Sequence, residues 1–488
     1  MSSPASPAAP SAAEHRAAPG GPAPSILWMS APLVVSFWMR SLFTFVDTIY
    51  AATLGDAAIA AIGLTIPLEF LMIACWVGVS NGLTSNLSQA MGARQGGRIE
   101  QLVAATRRMV WWMVPLFVVL GAGSWLVAPH LGLEPEVARQ FGIYAGVLVG
   151  GSAFTSFWSI LPDSIVKAHH DTRSTMWAGI WSNVINVLLN TLFTFVFHWG
   201  IFGIAFSTVV GRFGGLIYAQ RRAARHEASR RASGLDTDPG LDPSPSRSIL
   251  ALAVPGALSY ALMALETLVV NWLLAGQPDS TASIAAYGIY YRVLLFAVMP
   301  IIAASVAVLP FVARRFGEGD LPAIRSGLRQ INVAAVFYCV FLVTPSLLLG
   351  GGWLAHALAE AELTARLTRV ALWICPLACV AGIPFFLCRP AFEGLRRGRP
   401  GLIMALLRYA VLTAPCAFAG LRMASALGAP PLYGLLLGLV TATGLASLVF
   451  QAWLRRVVRD LAAGVATGSA IPFPGRTGSA APSSSLPS

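Results

Sequence analysis

The chemistry of this chain centres on one carboxylate. Asp47 sits in SLFTFVDTIYAATLGD, Ser41 to Asp56, inside an apolar run that begins at Ile26. A charge at membrane depth costs several kcal/mol unless it faces a partner or water, so such an acid is first of all a candidate site for a proton or a cation. The plainer reading is a helix end, because Gly55 follows soon after. Glu69, close behind Pro67, is a second acid in an apolar run. It is expected to line a cavity or to pair with an arginine such as Arg292. Other reactive patterns lead nowhere. Lys167 follows Val166, so no Gly-Lys pair builds a P-loop. GVSNG, Gly78 to Gly82, fits a nucleophile elbow but lies in an apolar run without the strand that motif needs. His169, His170 and Asp171 are adjacent in a basic connection and read as solvated. Cys375 and Cys379 are one helical turn apart with no further ligand in reach, and read as core.

The elements that must hold Asp47 follow from composition. Of 488 residues, 56% are hydrophobic and 11% charged, against about 25% charged in soluble domains. The excess apolar sequence has to face lipid. The net charge of +12 is almost wholly arginine. Those arginines stand in short clusters between apolar runs, the pattern of membrane topology and not of nucleic-acid binding. Runs of spanning length fall near 26–53, 57–91, 100–128, 136–165, 174–197, 200–222, 248–275, 281–313, 323–350, 364–391, 400–421 and 430–456, roughly twelve helices. The Ala/Pro/Ser-rich residues 1–25 are expected to be a disordered tail with no cleaved signal peptide, and 460–488 a second tail.

The connections after the even-numbered runs carry the arginines: Arg94 and Arg98, Arg173, Arg221 to Arg247, Arg314 and Arg315, Arg396 to Arg399, and Arg455 to Arg459. The odd-numbered connections are short and poor in arginine. The positive-inside rule then puts both termini and every even loop in the cytoplasm. The segment 223–247 reads as a cytoplasmic linker between a bundle at 26–222 and a bundle at 248–459. Pro32 and Pro255, Gly92 and Gly317, and Arg173 and Arg399 recur at nearly one offset. The expected fold is therefore an all-α membrane protein, two six-helix bundles related as parallel repeats, with a substrate site between them.

FTFVDTIYAATLGDAAIAAIGLTIP, Asn183 to Val210, Ala285 to Gly319 and Ala391 to Ile403 together resemble the multidrug and toxic compound extrusion (MATE) family. The resemblance covers nearly everything between the tails. It implies an inner-membrane antiporter that exports organic, cationic or amphipathic substrates in exchange for H⁺ or Na⁺, with no enzyme activity, no cofactor and no nucleic-acid partner, as a monomer in the bilayer. Carried over by position, Asp47, Asn186, Asn190 and Thr208 would form the cation-coupling site. Asn186 and Asn190 are four apart and share a helix face, and oxygen donors beside one carboxylate suit a hard cation. The alternative for the asparagines is interhelical glue. Arg40 stands where relatives commonly carry glutamine. It lies two turns from Asp47, so it is expected to modulate coupling by pairing with that acid. Glu266 is carried over as the second-bundle acid and, with Glu69 and Arg292, would line the substrate cavity. The tenth-helix acid of one branch is absent, its place falling near Phe386. A flippase for lipid-linked oligosaccharides is the second reading, kept open by Arg40, Arg292 and Arg389. A membrane enzyme is the third, without a cluster of catalytic residues to support it.

Overall fold

The computed structural model describes residues 25–466 apart from 133, 235, 237, 278 and 360, and their side chains apart from those at 39–49, 52, 56, 59, 264, 265, 267, 268 and 464–466. The predicted tails fall outside this range except at its ends. The chain forms α1 (Ile26–Ala52), α2 (Asp56–Gly92), α3 (Gly96–His130), α4 (Pro135–Ala168), α5 (Thr172–Val196), α6 (Gly200–Ala232), α7 (Pro245–Ala275), α8 (Ser280–Glu318), α9 (Leu321–Leu358), α10 (Glu362–Gly394), α11 (Arg399–Ala426) and α12 (Pro431–Ala466). Among the described residues, eleven helices are long and apolar enough to cross a membrane, and α1 adds the apolar stretch Ile26–Trp38. The protein is a multi-pass membrane protein. Trp112, Leu349 and Trp353 project outward at 80, 87 and 75% exposure, a dressing suited to lipid and not to water.

The helix ends have local causes that recur in the two halves. Gly55 and Asp279 take positive φ before α2 and α8. Arg94 and Gly319 do so after those helices, and His170 and Arg396 after α4 and α10. Asp171 caps α5 by accepting from the Ser174 N–H at 3.1 Å, and Asp320 caps α9 through the Ala323 N–H at 3.0 Å. The prolines inside the apolar runs do not end their helices. Pro67, Pro115, Pro300, Pro376 and Pro384 all lie within helix. Single π-turns interrupt α4, α9 and α11, the last at Leu406–Leu412, and another ends α5.

Two departures from the sequence reading bear on function. The sixth helix runs past the expected end at 222 to Ala232. Its arginine-rich end is held by a hydrogen bond between His226 and Asp171 at 2.8 Å and by ion pairs of Arg222 with Asp171 at 3.0 Å, Arg230 with Glu227 at 2.8 Å, and Arg231 with Glu100 at 3.5 Å. The segment that follows is not a loose linker. The Asp238 N–H donates to the Arg94 carbonyl, the Pro239 carbonyl accepts from the Arg98 N–H at 3.0 Å, and the Asp242 N–H donates to Gln101 Oε1 at 2.8 Å. The Asp242 carboxylate then accepts from Ser248 on α7 at 2.7 Å.

α1 is shared between the halves. It packs on α5 and on α8, and Ile26, Met29 and Leu33 belong to the same buried cluster as Tyr287, Val298 and Ile301. The halves also meet along α2 at the arginine-rich rim. Gly78 and Gly82 admit the carbonyls of Ala253 and Ile249, which a Cβ would approach to 2.5 and 2.6 Å. Asn81 Nδ2 donates to Glu393 Oε2 at 3.2 Å, Ser85 Oγ to the Glu393 carbonyl at 2.7 Å, and Gln89 Nε2 to the Gly394 carbonyl at 2.8 Å. Small residues set the backbones close, and these polar bonds, with Asn86 Nδ2 donating to the Ser248 carbonyl at 3.2 Å, then bridge the seam.

Candidate functional site

Two polar clusters stand within the helices. The first lies between α5 and α6. Gly211 lets α6 close on α5, since a Cβ there would meet the Ser182 carbonyl at 2.7 Å and Asn186 Cβ at 2.9 Å. Asn186 Nδ2 donates to Thr208 Oγ1 at 2.9 Å, Asn190 Nδ2 to Asn186 Oδ1 at 3.1 Å, and Ser207 Oγ to Asn190 Oδ1 at 2.5 Å. Asn186, Asn190 and Ser207 are fully buried, and Thr208 nearly so. The expected trio of Asn186, Asn190 and Thr208 is brought together. Ser207 joins it unforeseen, although it precedes Thr208 in sequence. On α1, Tyr50 Oη meets Thr191 Oγ1 at 2.6 Å, so α1 passes beside the asparagine face. Asp47 and Arg40 lie on α1, with side chains outside the described residues.

This ring of amide and hydroxyl groups is neutral and holds only oxygen and nitrogen. Its oxygens are of the type that ligates Na⁺, but each carboxamide oxygen already accepts a hydrogen bond. The acid that supplies charge must come from elsewhere, and α1 carries one.

The second cluster is in the other half. Glu266 is buried on α7. Arg408, on the π-turn of α11, places Nη2 3.4 Å from both Glu266 carboxylate oxygens, while Nη1 donates to Tyr409 Oη at 2.8 Å. The guanidinium also lies over the rings of Phe385 and Tyr409, 4.8 and 4.5 Å from their centroids. The pair borders a cavity of about 70 Å³ with Tyr287, Tyr290, Tyr291 and Thr443 on its wall. Glu266 lines this cavity, and Arg408 is the residue that sequence reading missed. The clue was available: a cation in the apolar run LIMALLRYAVLTAP is as conspicuous as the acid at Asp47.

The remaining expectations fare differently. Glu69 does not pair with Arg292. It stands 3.9 Å from Arg212 on α6 of its own half. Arg292 is exposed on α8, and it is Tyr291 beside it that reaches the cavity. Arg389 is engaged by Glu393 at 2.9 Å. His169, His170 and Asp171 form a polar knot outside the spans, where His169 stacks on His226 with ring centroids 5.0 Å apart. Burial alone would raise the Asp171 carboxyl. The hydrogen bonds from His226, Ser174 and Arg222 outweigh it and hold that group below its ordinary range. Burial, then the charge of Arg314, push the His170 imidazole down to about 3.

A family model, MatE, matches residues 32–192 and 255–419, once in each half. The chain belongs to the MATE family. The double match agrees with the recurrence of corners in the two halves. The MATE chain is 25% identical over 314 residues to "Probable multidrug resistance protein YoeA" of Bacillus subtilis, covering 61% of this chain and 65% of that one. It thus spans slightly less than two thirds of that relative. It is 25% identical over 452 residues to "Probable multidrug resistance protein NorM" of Xanthomonas axonopodis, covering 88% and 94%. Among solved structures, a MOP superfamily transporter from Pyrococcus furiosus superposes with a TM-score of 0.79 at 18% identity, over 90% of this chain and 96% of that one. A Vibrio cholerae MATE transporter superposes with 0.78 at 21% identity, over 89% and 96%. These likenesses establish the MATE fold.

Proposed function

We propose that this MATE protein is a secondary antiporter of the cell inner membrane, with both termini cytoplasmic, that moves organic substrates outward in exchange for H⁺ or Na⁺. The observation that carries the reading is the buried ring of Asn186, Asn190, Ser207 and Thr208. It is a preassembled polar site at membrane depth beside the helix that bears Asp47. Burial of so many polar groups is maintained only where they are satisfied or used. The relatives named for multidrug resistance are consistent with export.

Asp47 would carry the coupling. With a proton or Na⁺ bound it is neutralised and α1 settles against α5; without one it seeks Arg40 or water. The cycle requires the ion to bind the two conformations unequally. The seam at the arginine-rich rim, closed by Asn81, Ser85 and Gln89, corresponds to a conformation shut toward the cytoplasm. The flippase reading gains nothing from Arg389, which is engaged by a carboxylate, or from Arg292, which is exposed.

The test is uptake of ethidium by inverted vesicles, driven separately by a Na⁺ gradient and a pH gradient. One gradient should drive uptake, and Asp47→Asn should abolish it with the protein still inserted. Gradient-driven uptake by Asp47→Asn at the normal rate overturns the assignment.

A further inference from the structure

The cavity beside Glu266 is built with one negative and one positive side chain. The Glu266 and Arg408 side chains are only 10 and 12% exposed. Yet their pairing is loose. A single nitrogen stands 3.4 Å from both oxygens, where a close charge-assisted bond measures about 2.7–2.9 Å. Guanidinium is a fork of five donors. Here Nη1 uses one on Tyr409, and Nε is buried with no partner among the described residues. Tyr287, Tyr290 and Tyr291 line the same cavity. A tight structural bridge would leave neither spare donors nor space beside both charges.

Charge balance then discriminates among ligands. A monocation that takes Glu266 strands the Arg408 guanidinium away from water, and a monoanion that takes Arg408 strands the Glu266 carboxylate. Breaking a buried pair in this way is strongly unfavourable. A ligand bearing both charges replaces one loose internal pair by two intermolecular ones and strands nothing. We infer that the Glu266–Arg408 cavity is a binding site for the head of a zwitterion, an ammonium on Glu266 and a carboxylate on Arg408, and that Arg408 is the residue that makes it reject simple cations. About 70 Å³ suits a compact charged head, with the body of the ligand extending beyond the cavity toward the aromatic wall. The site deepens the export reading, since it names a substrate class, and rests on that reading for its role in transport; binding itself does not depend on it.

Three probes share one ring and differ in charge: phenylalanine (zwitterion), phenylalanine amide (cation) and N-acetylphenylalanine (anion). Their binding to the purified full-length protein in detergent is measured by calorimetry. The wild type should bind phenylalanine at least tenfold more tightly than either singly charged probe. Arg408→Gln should move the preference to the amide, and Glu266→Gln to the N-acetyl compound. The double variant, which buries no charge and so keeps its fold if a single variant does not, should bind all three equally. Equal or tighter binding of the amide by the wild type, no binding of any probe at millimolar concentration, or an unchanged ranking in the variants overturns the inference. Ethidium export that persists after such a result leaves the export reading standing. Phenylalanine binding by a protein whose inverted vesicles take up neither ethidium nor phenylalanine under either gradient sinks that reading and not the site.

Discussion

Asn81, in the first half, reaches a carboxylate of the second. Its Nδ2 lies 3.2 Å from Glu393 Oε2, and Glu393 is 3% exposed. A hydrogen bond to a charged group contributes about 1.5–3 kcal/mol. Asn81→Ala removes it only while the seam is closed, because in the open state both groups meet water. Glu393 keeps Arg389 in either state, so no buried charge is stranded and the fold is spared. The closed-to-open equilibrium should therefore shift by roughly 10- to 150-fold, at about 1.4 kcal/mol per factor of ten. Gln89→Ala loses a neutral bond to the Gly394 carbonyl, worth about 1 kcal/mol, and should shift it roughly fivefold. Asn332→Ala is the control, since its amide bonds only to Leu328 in its own helix. The reporter is Ser88→Cys. Ser88 is fully buried, one turn from Ser85, and its hydroxyl has no partner among the described residues. Maleimide labelling of that thiol in inverted vesicles, corrected for the chain without it, reads the open fraction. Rates should rise in the order control, Gln89→Ala, Asn81→Ala. Labelling of Asn81→Ala at the control rate would refute the seam as a gate.

Ser207→Ala takes the 2.5 Å donor from Asn190 Oδ1 and should cost about 1–2 kcal/mol, read as a lowered melting temperature that Ser207→Thr partly restores. Acid should destabilise the protein through His170 and Asp171. Both have folded values below their ordinary ones, so the stability they confer is complete above about 6.5, the unfolded histidine value, and drains as pH falls toward 3. His170→Asn, which tolerates the φ of +60° there, should flatten the melting profile between pH 6.5 and 4.5, and an unchanged slope counts against the assignment. Ser233→Cys should resist an impermeant reagent added outside intact cells, while Asp279→Cys reacts; equal labelling at the two positions would invert the topology.

Spans, corners and the duplication were legible because each is written in local sequence: apolar length, arginine clusters, and a proline, a glycine and an arginine recurring at nearly one offset. Four-residue spacing put Asn186 and Asn190 on one helix face, whereas their grouping with Thr208, which lies on the next helix, came from the resemblance to the MATE family. What was not legible depends on neighbours far apart in the chain. Glu69 is expected to pair with an arginine such as Arg292, and nothing in the sequence singles out Arg212, about 140 residues away, which comes within 3.9 Å of it in the fold. The cross-half bonds of Asn81, Ser85 and Gln89 looked like ordinary polar residues on an apolar helix, because their partners lie on α10. Arg408 differs, being a charge in a spanning run that the rule applied to Asp47 would have caught. The sixth helix outran its apolar stretch because ion pairs, which hydropathy does not register, continue it into water.

The docked segment between the halves changes how the seam behaves as a polymer problem. Were residues 233–244 a free coil, the ends of α6 and α7 would wander about 20 Å apart. Pinned at Arg94, Arg98 and Gln101 as far as Asp242, the chain retains only Pro243 and Ser244 as slack before α7. Closing the seam is then an encounter at the effective concentration of a very short tether. Because that concentration falls with about the three-halves power of tether length, freeing the whole segment would dilute the halves from one another by roughly tenfold. Substitutions at Gln101 or Arg98, which touch neither Asn81 nor Glu393, thereby acquire leverage over the seam. They act on how often the two surfaces meet and leave what happens on contact unchanged.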